Sequence, residues 1–272
     1  MMPSHKSRIA RVCVVLILTG FVLAGCSKLK NDNSGSGTGG GGQIATSPDN
    51  SNSRTSSSSS APSGTPTSWE ANATSLKGAD GQTFTLACSP GGAARSVWGS
   101  DIYTADSSIC TAAVHSGLIT YQQGGDVTIE LRPGRPIYGC SERNGVTTGA
   151  YGSYARSFVF KTTNTEAVVR EAEDQTPVLW NTSATMVSGE NGKTYKFKCP
   201  ANGKQGMVWG TDIYTVDSSI CNAAAHAGKL TLESGGSVEI EVQPGESSYK
   251  GSTRNGIKTN DYGAYGRSFI VK

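Results

Sequence analysis

Beyond residue 25 the sequence has no excess of charge of either sign. Lys6, Arg8 and Arg11 are the only charged side chains before that point, and the other 21 Lys and Arg are matched by 21 Asp and Glu. A neutral remainder exerts no bulk electrostatic pull on nucleic acid or on an anionic membrane, so no nucleic-acid partner is expected. Histidine is scarce, with 3 in 272 residues, too few to converge with cysteines and acids on zinc, and no metal or cofactor is expected. No apolar run reaches the roughly 20 residues of a membrane-spanning helix. A phosphate-binding glycine loop and a dinucleotide fingerprint are both missing. With 36% hydrophobic residues and 35 glycines, the chain is too polar for a multispan membrane protein and too patterned to be wholly disordered.

What is present begins with an address. A basic stretch over residues 1–11 precedes an almost wholly apolar run over residues 12–22. Basic start, short apolar centre and small residues at the exit describe a secretory signal peptide over residues 1–25. The exit reads Leu23-Ala24-Gly25-Cys26, which resembles the bacterial lipobox. The resemblance implies cleavage before Cys26, a diacylglycerol on its thiol and an acyl chain such as palmitate on the new amine. Each buried CH₂ contributes about 0.8 kcal/mol, so two or more chains anchor stably. Ser27, not Asp, follows the cysteine; by the same resemblance this favours the outer over the inner membrane if the envelope is Gram-negative. Residues 26–68 are then a lipidated cysteine and a tether. They are almost entirely Ser, Gly, Thr, Asn and Pro, a composition that cannot bury enough surface to offset its ordering entropy. Such a tether reaches about 35 Å.

The rest is one unit written twice. VWGSDIYTADSSICTAAVHSG at 97–117 returns as VWGTDIYTVDSSICNAAAHAG at 208–228. Trp98 and Trp209, Asn144 and Asn255, and Phe158 and Phe269 all keep one offset of 111. Residues 69–161 therefore lie on 180–272 without a gap, joined by a polar spacer, 162–179, that reads as briefly helical at 166–173. Alternation predicts half-buried strands at 83–88 and 127–131 and a terminal strand at 157–160. A helix is expected over 107–116, with Asp106 as its N-cap and Gly117 as the left-handed residue that ends it. Gly124-Gly125, Pro133-Gly134 and Asn144-Gly145 read as turns.

The string V-W-G-x-D-I-Y-T…D-S-S-I-C-x-A-A-x-H-x-G, followed by G-G-x-V-x-I-E, R-N-G and S-F, resembles the LCCL family over nearly the whole of both units. That resemblance implies an α+β fold: two tandem modules, each a short central helix wrapped by antiparallel β-sheets. It also implies an extracellular recognition module associated with lipopolysaccharide or other surface ligands, and not an enzyme. Family members usually carry four cysteines. Here Cys13 leaves with the signal peptide and Cys26 is lipidated, so each unit keeps one pair at identical spacing, Cys88 with Cys110 and Cys199 with Cys221. One bridge per module is expected in an oxidising compartment. Cys140 has Gly251 at its matching place and no partner; it is either a free loop thiol or the site of a covalent dimer.

Catalytic constellations fail on spacing. Cys110 and His115, like Cys221 and His226, stand five residues apart, about 140° around a helix, so their side chains diverge. Asp106-Ser107-Ser108 reads as capping, not as part of a triad. His115 and His226 read as core residues whose nitrogens meet backbone groups, and Trp98 and Trp209 also read as core. For a binding surface the candidates are Tyr103, Arg143 and Arg156 with their copies Tyr214, Arg254 and Arg267, since Tyr and Arg dominate recognition surfaces. Tyr138, Tyr151 and Tyr154 recur as well, at Tyr249, Tyr262 and Tyr265. The function expected is an exported, lipid-anchored protein of the cell envelope, whose tandem modules bind a surface glycan, lipopolysaccharide or lipid. The alternative is a structural or protein-interaction component of an envelope complex with no small ligand.

Overall fold

The computed structural model describes residues 63–272. The signal peptide, Cys26 and the tether as far as residue 62 lie outside the described residues.

Each module is a six-stranded sheet closed over one buried helix. In the first, β1 (Thr65–Thr67), β2 (Thr83–Cys88), β3 (Gly99–Ser100), β4 (Ile102–Thr104), β5 (Gly125–Arg135) and β8 (Tyr154–Phe160) lie in the order β1-β2-β5-β8-β4-β3. A small hairpin, β6 (Glu142–Arg143) and β7 (Val146–Thr147), stands apart. The second module repeats this with β9 (Thr176–Pro177), β10 (Thr194–Cys199), β11 (Gly210–Thr211), β12 (Ile213–Thr215), β13 (Gly236–Pro244) and β16 (Arg267–Val271), again flanked by a hairpin, β14 (Thr253–Arg254) with β15 (Ile257–Lys258). All pairings are antiparallel except the edges β1–β2 and β9–β10. The repeat thus begins at Thr65-Pro66 and Thr176-Pro177, ahead of the tryptophans, and strand β1 falls in what the composition marks as tether. Proline suits both places, because an edge strand has a free N–H side.

The helices α1 (Ile109–His115) and α3 (Ile220–His226) have every residue buried. Their alanines let the sheet approach closely. Ser108 and Ser219, not Asp106, are the N-caps, accepting from the backbone N–H of Thr111 and Asn222. Asp106 sits two residues earlier, accepting from Thr104 Oγ1 at 2.5 Å, because residues 104–107 form a tight turn before the helix starts. Gly117 and Gly228 follow with φ of 74° and 75°. Pro133-Gly134 is no turn: it lies inside β5, which runs to Arg135 and pairs Pro133 with Arg156. A Cβ at Gly134 would sit 1.9 Å from the Tyr154 carbonyl oxygen, so only glycine admits the β8 backbone there.

Two separate cores result. Phe158, Leu131, Ile129 and Ile109 fill the first, and Phe269, Ile240, Phe197 and Ile220 the second. The spacer contributes α2 (Thr165–Asp174), whose Val169 and Ala172 cover Ile102, Tyr138 and Val159 on the outer face of the first sheet. Arg132 and Arg135 hold it by ion pairs to Glu166 and Glu173. The modules meet along the loop after β5. Ile137 joins the core of the second module, the Cys140 N–H donates to the Pro177 carbonyl at 2.8 Å, and Cys140 Sγ lies 3.2 Å from Thr182 Oγ1. Gly139 is required at this seam, since a Cβ would come within 2.2 Å of the Pro177 oxygen.

Candidate functional site

The residues that look most like chemistry form a network inside each module. His115 is fully buried. Its Nδ1 lies 2.8 Å from the Tyr103 hydroxyl and its Nε2 3.0 Å from Ser141 Oγ, which reaches Ser100 Oγ at 2.7 Å. The second module repeats this with His226 Nδ1 to Tyr214 at 2.9 Å, Nε2 to Ser252 at 3.0 Å, and Ser252 to Thr211 at 2.8 Å. The imidazoles are thus held by side-chain hydroxyls, not by backbone groups as expected, and both nitrogens are engaged. Burial, helped by the Arg143 guanidinium, pushes the His115 pKa down to about 4; burial and Arg254 lower that of His226. Burial likewise raises the Tyr103 and Tyr214 hydroxyls above their ordinary range. Neutral imidazoles sealed from solvent hold the helix to the sheet and have no access to a substrate.

The R-N-G string completes the same construction. Asp101 and Asp212 adopt left-handed backbone, φ 67° and 64°, at the tight turns β3–β4 and β11–β12. Their carboxylates face Arg143 and Arg254: Arg143 is bidentate on Asp101 at 2.6 and 2.9 Å, and Arg254 donates to Asp212 at 2.6 Å. Asn144 and Asn255 donate to the His115 and His226 carbonyls at 3.0 and 2.9 Å, capping the helix C-terminus. Glycine then closes each hairpin.

The expected binding residues therefore separate. Tyr103 and Tyr214 have no exposed surface and cannot meet a ligand there; stacked against Phe158 and Phe269, they are core. Arg156 and Arg267 are half-buried and reach backbone carbonyls of the segment before β2 or β10, Arg156 to Gly78 at 2.9 Å and Arg267 to Val187 and Gly189 at 2.9 and 2.8 Å. Arg156→Ala would leave those carbonyls unpaired and is expected to cost about 1–3 kcal/mol, read as a fall in the urea midpoint. Only Arg143 and Arg254 remain at the surface, with side chains 42% and 47% exposed. Arg143 also borders a cleft of about 220 Å³ between α2 and the first module, walled by Leu118, Phe160, Val168 and Val169. Among the described residues no three His, Cys, Asp or Glu side chains converge as a metal site would need.

Disulfides join Cys88 to Cys110 and Cys199 to Cys221, so neither helix cysteine is a nucleophile. Cys140 is free but buried at the seam, and burial raises its thiol pKa; a thiol in that position is closed to a second chain. Sequence reasoning also misplaced Trp98 and Trp209. They are half-buried at the surface, beside Tyr151 and Tyr262, which are 39% and 41% exposed. The recurrence of those tyrosines was the available signal.

Architecture and network together define a disulfide-stapled α+β module in tandem. The chain belongs to the LCCL domain family, whose model matches residues 65–158 and 174–269. Human cysteine-rich secretory protein LCCL domain-containing 2 is 33% identical over 174 residues, 61% of this chain and 33% of its own. Human vitrin is 42% identical over 76 residues, 27% of this chain and 11% of its own. Clotting factor C of Tachypleus tridentatus is 44% identical over 80 residues, 29% of this chain and 8% of its own. The chain thus spans at most about a third of these relatives.

Proposed function

We propose that this protein is an exported, lipid-anchored binding protein, whose two LCCL modules present the same surface twice to a ligand of the cell envelope. The reading rests foremost on the duplication. Both modules keep the exposed Arg–Asp pair and the exposed aromatic rings at one offset, although other surface positions, such as Leu118 and Lys229, have diverged. Two copies on one chain raise the effective concentration for a repeated ligand. The Leu-Ala-Gly-Cys26 exit and the stapled modules favour export. A binding role is favoured over catalysis because the one histidine of each module is sealed and the helix cysteines are bridged.

Two measurements on the full chain test the reading. Cys26→Ser is expected to abolish palmitate labelling and to make the protein extractable from the membrane fraction without detergent. The same soluble variant is expected to sediment with purified cell envelope, in a saturable way. Palmitate labelling or a need for detergent that persists in Cys26→Ser would remove the anchor from the proposal, and failure to bind envelope polysaccharide, lipopolysaccharide or lipid would remove the ligand.

A further inference from the structure

We propose that the strip of rings formed by Trp98, Tyr151 and Tyr154, with its copy at Trp209, Tyr262 and Tyr265, is a binding site for a neutral carbohydrate chain. The inference rests on the binding reading above and assigns it a surface and a ligand class.

Five large hydrophobic side chains are exposed among the described residues: Leu118, Tyr151, Val168, Met207 and Tyr262. Leu118 and Met207 have Lys229 and Ser96 at the matching places, and Val168 belongs to the spacer. Exposure is shared between the modules only at the tyrosines. Each exposed tyrosine is flanked by two half-buried rings. Centroids stand 5.6 Å apart for Trp98–Tyr151 and 6.0 Å for Tyr151–Tyr154, and 5.9 and 5.8 Å for the copy. Folding does not require an aromatic ring left about two-fifths in water, since burial is what makes such a ring stabilising.

The geometry selects the ligand. Neighbouring rings are inclined by 58° to 72°, a stepped surface suited to a chain of twisting sugar rings and unsuited to one flat aromatic molecule. The electron-rich ring face attracts the positively polarised C–H groups of a pyranose. At one end of each strip stands a carboxylate. With burial, Asp106 raises the Tyr154 hydroxyl and Asp217 that of Tyr265. Asp217 Oδ1 is buried and has no partner within the protein, and Asp106 Oδ1 accepts from Thr104, so these carboxylates set the charge at the end of each strip without offering a direct contact. Negative charge there repels anions. The cations nearest in sequence are already engaged: Arg156 and Arg267, two residues from Tyr154 and Tyr265, donate to backbone carbonyls, and Lys250 near the second strip is paired with Asp261 and has Gly139 at the matching position. Phosphate-bearing and sulfated ligands are therefore disfavoured.

The test uses the full chain carrying Cys26→Ser, titrated with β-1,4-linked hexasaccharides of N-acetylglucosamine and of glucose, and read by tryptophan emission. At least one sugar is expected to give a saturating change at sub-millimolar to millimolar concentration. Tyr151→Ser with Tyr262→Ser should weaken it about tenfold or more, the effect of losing stacked rings worth over about 1.4 kcal/mol. The thermal midpoint should stay near that of the parent, since both rings are partly solvated. Tyr151→Phe with Tyr262→Phe should retain binding within about twofold, because the ring face survives. Absence of a saturating response with either sugar, or a response that the serine substitutions leave intact, overturns the proposal. If the protein still sediments with envelope in that event, the ring-strip assignment falls while the broader binding reading stands.

Discussion

Replacing Cys88 and Cys110 together by alanine is expected to destabilise the first module by about 3 kcal/mol, on the chain-entropy estimate for a loop of this length. The bridge ties the end of β2 to the first turn of α1, so its loss frees the buried helix from the sheet edge that it supports. A domain of this size has only a few kcal/mol to spare. The urea transition of the first module should therefore move to lower denaturant, and the second module, whose core includes Ile137 of the first, should shift by a smaller amount. Cys199→Ala with Cys221→Ala should give the mirror result. A change below about 1 kcal/mol would mean that the packed helix, not the bridge, carries the stability.

The second large effect is acid-induced. In the folded state His115 stays neutral down to a pKa of about 4, whereas an unfolded histidine takes up its proton near pH 6.5. Between those values the unfolded chain binds the extra proton, so stability is complete above about pH 6.5 and declines as the pH falls toward 4. A shift of that size corresponds to at most about 3 kcal/mol for His115, and His226 acts in the same direction. The lowered carboxylates Glu70, Asp126, Glu241 and Asp261 add their own loss only at lower pH, around and below their ordinary values. Urea midpoints of the parent and of His115→Gln with His226→Gln, measured from pH 7.5 to 4, separate the two sources. The parent should lose stability between pH 6.5 and 4.5 and the glutamine variant should be flat there. Parallel profiles would place the proton uptake elsewhere.

Much of the fold was legible in the sequence. The 111-residue offset, the alanine-rich helix with its following glycine, and the paired cysteines each state a local rule that the structure obeys. Short edge strands were not legible, because two residues of Thr-Pro carry no periodicity. The site was less readable, for a reason internal to duplication. Tyr103, Asn144 and Arg156 recur because the fold needs them, and recurrence gives binding and folding residues the same mark. Asn144 caps a carbonyl 29 residues away and Arg143 meets a carboxylate 42 residues away; neither partner could be inferred from local pattern. Nothing in the local pattern distinguishes Trp69, which is buried, from Trp98, which borders solvent.

The contact between modules also sets the two copies apart. Where the first module offers Gly139 and Cys140 to its successor, the second carries Lys250 and Gly251, and the lysine side chain is 82% exposed. The copies are therefore not interchangeable at this face: a side chain at Gly139 would run into Pro177, whereas Lys250 at the matching place lies open to solvent.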